Sequence, residues 1–124
     1  MLKEYIIKIT TDASGDAVDT TDSGIFGKLY AVAMVDGDFD NGVDAVIIYT
    51  DSQGVERTLL TLTDWNSDRI YYPREQVHGN TGSALTYDGT YPVSTMPIVA
   101  GPVQVTTDEG GATKSGAVVL YIEE

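Results

Sequence analysis

The sequence predicts an all-β fold, a single-domain antiparallel β-sandwich or jelly-roll-like barrel with long loops, and three observations predict it. Short runs of β-branched and aromatic residues recur along the chain, which holds fifteen Thr and eight Tyr. Turn residues, led by thirteen Gly, punctuate those runs every 8–12 residues or so. No window combines three-to-four apolar spacing with a cap and a run of helix formers. At 124 residues, 42% hydrophobic and 21% charged, the chain has a globular composition and length enough for one core.

Residues 5–10 (Tyr-Ile-Ile-Lys-Ile-Thr) make a good first strand. Residues 12–27, with Asp12, Asp16, Asp19 and Asp22 among small residues, read as an acidic mobile loop. Residues 28–35 are apolar on both faces, as a central strand is. A tight acidic connection over 36–44 carries Asn41-Gly42, a strong hairpin signal. Residues 45–50 and 58–63 are the next strands, joined by the turn Asp51-Ser52-Gln53-Gly54.

Residues 70–72 make a short strand that Pro73 confines to an edge or a strand end, because proline lacks a ladder donor. Polar loop follows over 76–83. Asp88-Gly89 then sits between Tyr87 and Thr90 as a two-residue hairpin. Residues 103–106 alternate, 108–116 form a Gly-rich loop, and 117–122 close the chain as a strand apolar on both faces. Such a strand lies inside a sheet, or has its second face covered by a loop or a neighbouring subunit. One composition regime spans residues 1–124, which predicts one domain.

Acidic residues outnumber basic ones 19 to 7, for a formal charge of −12. That field repels phosphate backbones and anionic lipid, so neither nucleic acid nor a membrane surface is an expected partner. Without cysteine there is no disulfide, thiolate metal site or Cys nucleophile. The N-terminal segment carries charge too early for a signal-peptide core, and no run approaches a membrane span.

Candidate sites are few. The run Asp36-Gly37-Asp38-Phe39-Asp40-Asn41-Gly42 opens like a calcium-binding EF-hand loop. Its sixth position is Asn41 where Gly belongs and its twelfth is Ile47 where a bidentate Glu belongs, so no metal is assigned. His78, the only histidine, sits in a Gly-Asn-Thr loop without triad partners. Gly110-Gly111 lacks the ending of a phosphate loop. No catalytic residue and no cofactor are predicted, and an enzyme is not expected.

Residues 57–74 hold the only Trp (Trp65), Tyr71, Tyr72 and all three Arg. Tyr and Arg are the types that concentrate binding energy, and an arginine in an acidic protein suits a partner carboxylate. Tyr71 and Arg74 are therefore contact candidates, joined by Tyr87 and Tyr91 on the Tyr-, Gly- and Thr-rich hairpin.

The runs Gly27-Lys28-Leu29-Tyr30-Ala31-Val32, Asp44-Ala45-Val46 and Tyr71-Tyr72-Pro73-Arg74 resemble small virion proteins of tailed bacteriophages. So does Gly101-Pro102-Val103-Gln104-Val105 with the loop and strand after it. The resemblance runs from about Gly27 onward. It implies a capsid decoration (cement) protein that binds and stabilises the outer face of a phage head. It further implies the major capsid protein as partner, assembly in the host cytoplasm and a homo-oligomer, a trimer on three-fold positions. Subunit contacts would fall on residues 117–122 and 5–9. Rival readings are a tail, baseplate or head-fibre component, and a carbohydrate-binding module stacking Trp65, Tyr71, Tyr87 and Tyr91 on sugars with Ca²⁺ at 36–44.

Overall fold

Strict two-residue periodicity in burial organises the structure: Val43–Thr50 is buried at every odd position and half-buried at every even one. The computed structural model describes residues 1–86 and 89–124, and no helix occurs among them. The strands are β1 (Leu2–Thr10), β2 (Ala17–Thr20), β3 (Ile25–Val35), β4 (Val43–Thr50), β5 (Glu56–Trp65), β6 (Arg69–Tyr71), β7 (Glu75–Gln76), β8 (Ser94–Thr95), β9 (Ile98–Gly101), β10 (Val103–Asp108) and β11 (Ser115–Glu123).

Two antiparallel sheets form a sandwich, the first of the two forms expected. One has the order β1-β11-β3-β6, with β9 also paired to β3; the other has the order β2-β10-β4-β5. Between them lie Ile7, Ile9, Leu29, Val32, Met34, Val118, Leu120 and Ile122 from the first sheet, and Val43, Ala45, Ile47, Tyr49, Val103 and Val105 from the second. Phe39 and Trp65 join this core with their rings edge to face, 5.7 Å apart. The doubly apolar β11 lies inside its sheet, between β1 and β3.

The sequence expectations differ from this structure in three places. Residues 12–27 are not one loop: β2 runs along β10, and β3 begins at Ile25. Acidic composition hid a strand whose inward positions are only Ala17 and Asp19. Asn41-Gly42 closes no hairpin, because β3 and β4 belong to different sheets. The connection passes across the end of the sandwich, where Gly37 takes φ 58° and an added Cβ would lie 2.0 Å from the Ser115 carbonyl oxygen. Short strands β7, β8 and β9 were not expected either. By contrast, Asp51–Gly54 does turn β4 into β5, and β6 is an edge strand as Pro73 requires.

Candidate interaction surface

Register places one row of side chains across the outer face of the five-stranded sheet. Ile6 faces Val119, Val119 faces Ala33, and Ala33 faces Ile70. The neighbouring row (Tyr5, Leu120, Val32, Tyr71) turns toward the core, so pleat alternation sends the Ile6 row outward. Ile6 is 57% exposed and Ile70 51%, with Val119 and Ala33 less so. Glu4, Tyr121 and Ala31 flank the row on one side; Lys8, Ala117 and Val35 flank it on the other. Four strands separated in sequence thus build one apolar stripe.

The stripe ends at an aromatic and cationic cluster. A register irregularity between β11 and β3 leaves Tyr30 as an extra residue on β3. Its ring meets Tyr72 edge to face at 6.0 Å, and the Arg74 guanidinium lies 5.9 Å from the Tyr30 ring centre. Arg74 Nη1 also donates to the Tyr30 carbonyl at 3.1 Å and to its own Pro73 carbonyl at 2.6 Å. The guanidinium is thereby held at the surface in a fixed pose. Tyr71, the neighbouring candidate, turns the other way: it is half-buried beside Trp65, under Arg69, in a groove between the sheets.

Between β6 and β9 the chain leaves the sandwich as an arm with a three-fold arrangement of its own. Val77 N–H donates to the Val93 carbonyl, Leu85 N–H to the Val77 carbonyl and Val93 N–H to the Leu85 carbonyl, a closed triangle with eight-residue spacing. Each corner is pinned by an antiparallel bridge: His78 with Ala84, Thr86 with Pro92, and Gln76 with Ser94. Tyr91 lies on this arm and is 64% exposed. The Tyr87 candidate and the Asp88 turn position lie outside the described residues. His78 makes no side-chain hydrogen bond to a described residue.

Part of the acidic run 36–44 is engaged within the fold. Asp38 accepts the Ser115 N–H at 2.6 Å, and Asp40 lies against Gly111, where a Cβ would be 2.4 Å from its oxygen. Among the described residues nothing bonds the buried Asp36 Oδ1; its own burial and then Asp68 raise its pKa above the ordinary carboxylate value. Among the described residues, Asp44 is the one member of the run in a grouping able to share a cation, with Asp64 and Glu109, their oxygens all within 4.8 Å of one another. Asp44 is half-buried, and Asp64 and Glu109 are exposed.

Of the four contact candidates, the structure places Arg74 in the surface cluster and Tyr91 on the arm, and turns Tyr71 inward. Sequence reasoning missed Tyr30 and Ile6, because only register and the bulge bring them to the same face as Ile70 and Tyr72. Trp65 offers no sugar-stacking surface: it is 4% exposed, and its indole N–H donates to the Ser67 carbonyl at 2.6 Å.

No protein-family model matches the chain, and no curated protein does either. Solved structures to which it is similar include three at low identity. PirA is 11% identical, with 94% of this chain and 93% of that one covered and a TM-score of 0.47. The family 32 carbohydrate-binding module of C. perfringens NanJ, solved with galactose, is 15% identical over 95% of this chain and 93% of that one, with a TM-score of 0.45. A chain of infectious bursal disease virus, Gx strain, is 13% identical over 99% of this chain but 32% of that one, with a TM-score of 0.38.

Proposed function

We propose that this protein is a structural virion component, a decoration or cement protein on the outer face of a phage capsid. The observation that carries this reading is the apolar stripe Ile6–Val119–Ala33–Ile70 running into the Tyr30–Tyr72–Arg74 cluster. A broad sheet face of this kind suits a flat protein partner, with apolar burial for affinity and an oriented guanidinium for a coat carboxylate. The charge of −12 keeps such a face from unspecific association while the protein is free. On a shell that repeats its sites by symmetry, many modest contacts add up through avidity.

Quantitative mass spectrometry of purified particles from the source of the sequence tests this reading. The expected result is a fixed, large ratio to the major capsid protein, with loss of attachment for Ala33→Glu. A handful of copies per particle would move the protein to a tail, baseplate or head-fibre position. Absence from the particle would overturn the virion reading altogether.

A further inference from the structure

The outermost strands of the two large sheets differ in how well their edges are guarded. Strand β5 is broken by register irregularities at two places, which twist its edge away from a flat partner. Strands β2 and β6 are short, and Pro73 closes the chain beyond β6. Strand β1 is different: it follows β11 in unbroken register from Leu2 to Thr10 and ends its sheet.

Its free backbone groups can be identified. Thr11 N–H donates to the Lys114 carbonyl and Glu124 N–H to the Met1 carbonyl, one pair beyond each end of the register. Odd-numbered residues of β1 therefore bond β11. Leu2, Glu4, Ile6, Lys8 and Thr10 direct their N–H and C=O groups away from the sheet, where no described residue bonds them.

We infer that this edge pairs with the same edge of a second copy, antiparallel and centred on Ile6. The free groups fix the parity, so an even residue must oppose an even residue. Centring on Ile6 gives full overlap of the strand and sets Glu4 against the second copy's Lys8, twice by symmetry. Centring on Glu4 or on Lys8 would oppose like charges across the axis. On the inward side Tyr5 opposes the second copy's Ile7, an aromatic–β-branched pair, beside a lateral groove of about 340 Å³ lined by Tyr5, Ile7 and Asp19. On the outward side Ile6 meets the second copy's Ile6, so the two apolar stripes become one. The pairing is two-fold, where the phage resemblance implied a trimer. It stands independently of the capsid reading, and would give that reading a face of doubled length.

Sedimentation velocity on the intact protein tests the pairing directly, with a concentration-dependent dimer expected. Glu4→Lys replaces two attractive pairs with two repulsive ones and is expected to weaken the dimer about 10- to 100-fold. Adding Lys8→Glu to that variant restores the opposition and should bring the affinity back to within about threefold of the parent. A monomer at every concentration overturns the inference, and so does a dimer that ignores Glu4→Lys or is not rescued by the double change. Because the chain has no cysteine, Ile6→Cys gives an independent readout. Residues opposed in a hydrogen-bonded pair have Cα atoms about 5.5 Å apart, within the disulfide range. Oxidation should cross-link Ile6→Cys and leave Thr10→Cys monomeric; the reverse pattern, or neither linked, also refutes the register. Copy number in particles tests the capsid reading and sedimentation of the free protein tests the pairing, so the two proposals fail separately.

Discussion

The outer faces of the two sheets invite comparison, because corresponding rows cross them. On the five-stranded sheet the row reads Ile6, Val119, Ala33, Ile70; on the four-stranded sheet it reads Val18, Thr106, Val46, Thr61. The next row of the second sheet, Thr20, Gln104, Ile48, Thr58, repeats the mixture of apolar and polar residues. Threonine keeps the β-branched shape that a strand favours while giving water a hydroxyl to bond. One face is thus finished for solvent and the other is not, although both rest on the same core. An unbroken apolar row on an otherwise acidic protein points to a face covered in use.

The largest effect tests the shared core. Leu120→Ala in β11 and Ile47→Ala in β4 remove fully buried side chains from opposite sheets. Each is expected to cost about 2–5 kcal/mol, read as the shift of a single cooperative urea transition. Two separate transitions would mean that the sheets do not share one core, and the comparison of their outer faces would lose its basis.

An intermediate effect separates the faces. Ile70→Thr and Val46→Thr make the same kind of change on the two outer surfaces, and each should alter stability by only about 1 kcal/mol or less. Their effects on attachment to particles should diverge. Burying an Ile side chain is worth roughly 1.5–3 kcal/mol, so Ile70→Thr is expected to weaken attachment about tenfold or more. Val46→Thr should leave it unchanged, and equal losses from both would dissolve the distinction between the faces. Arg74→Ala, which removes the oriented guanidinium, should weaken attachment and make what remains less sensitive to salt.

How much of this was legible in the sequence follows from the range of the signals. Strands β1, β3, β4, β10 and β11 announce themselves through dense β-branched runs, and the Asp51–Gly54 turn through local chemistry. Strand β2 was lost because Ala-Val-Asp-Thr supplies too little apolar weight; pairing with β10 defines it. Asn41-Gly42 carried a true turn preference, but a turn signal names no pairing partner, and here the chain crosses between sheets. Arg74 could be picked out by type. Its fixed pose could not, since Tyr30 reaches it through a bulge 44 residues away. The Ile6–Ile70 stripe is a product of register alone.

The smallest effect concerns two aspartates, one at the end of each sheet's connection, whose pH dependence should have opposite signs. Asp51, in the β4–β5 turn, accepts the N–H groups of Val55 and Gln53, and these hold its carboxyl below the ordinary value of 3.8, with Arg57 nearby adding to the effect. Its contribution is present above the unfolded value and is lost as pH falls through the lower folded one. Asp36, where β3 leaves its sheet, is raised by burial and by Asp68, so its charged form costs stability at neutral pH. That cost is relieved as pH falls through the raised folded pKa toward 3.8. Melting temperatures between neutral and acid pH should therefore show Asp36→Asn ahead of the parent at pH 7, with the gain shrinking on acidification. Asp51→Asn keeps an acceptor oxygen for the turn but no titrating charge, and should lose less stability than the parent in the most acid range. A gain for Asp36→Asn that did not vary with pH would mean that packing, and not charge burial, limits that end of the five-stranded sheet.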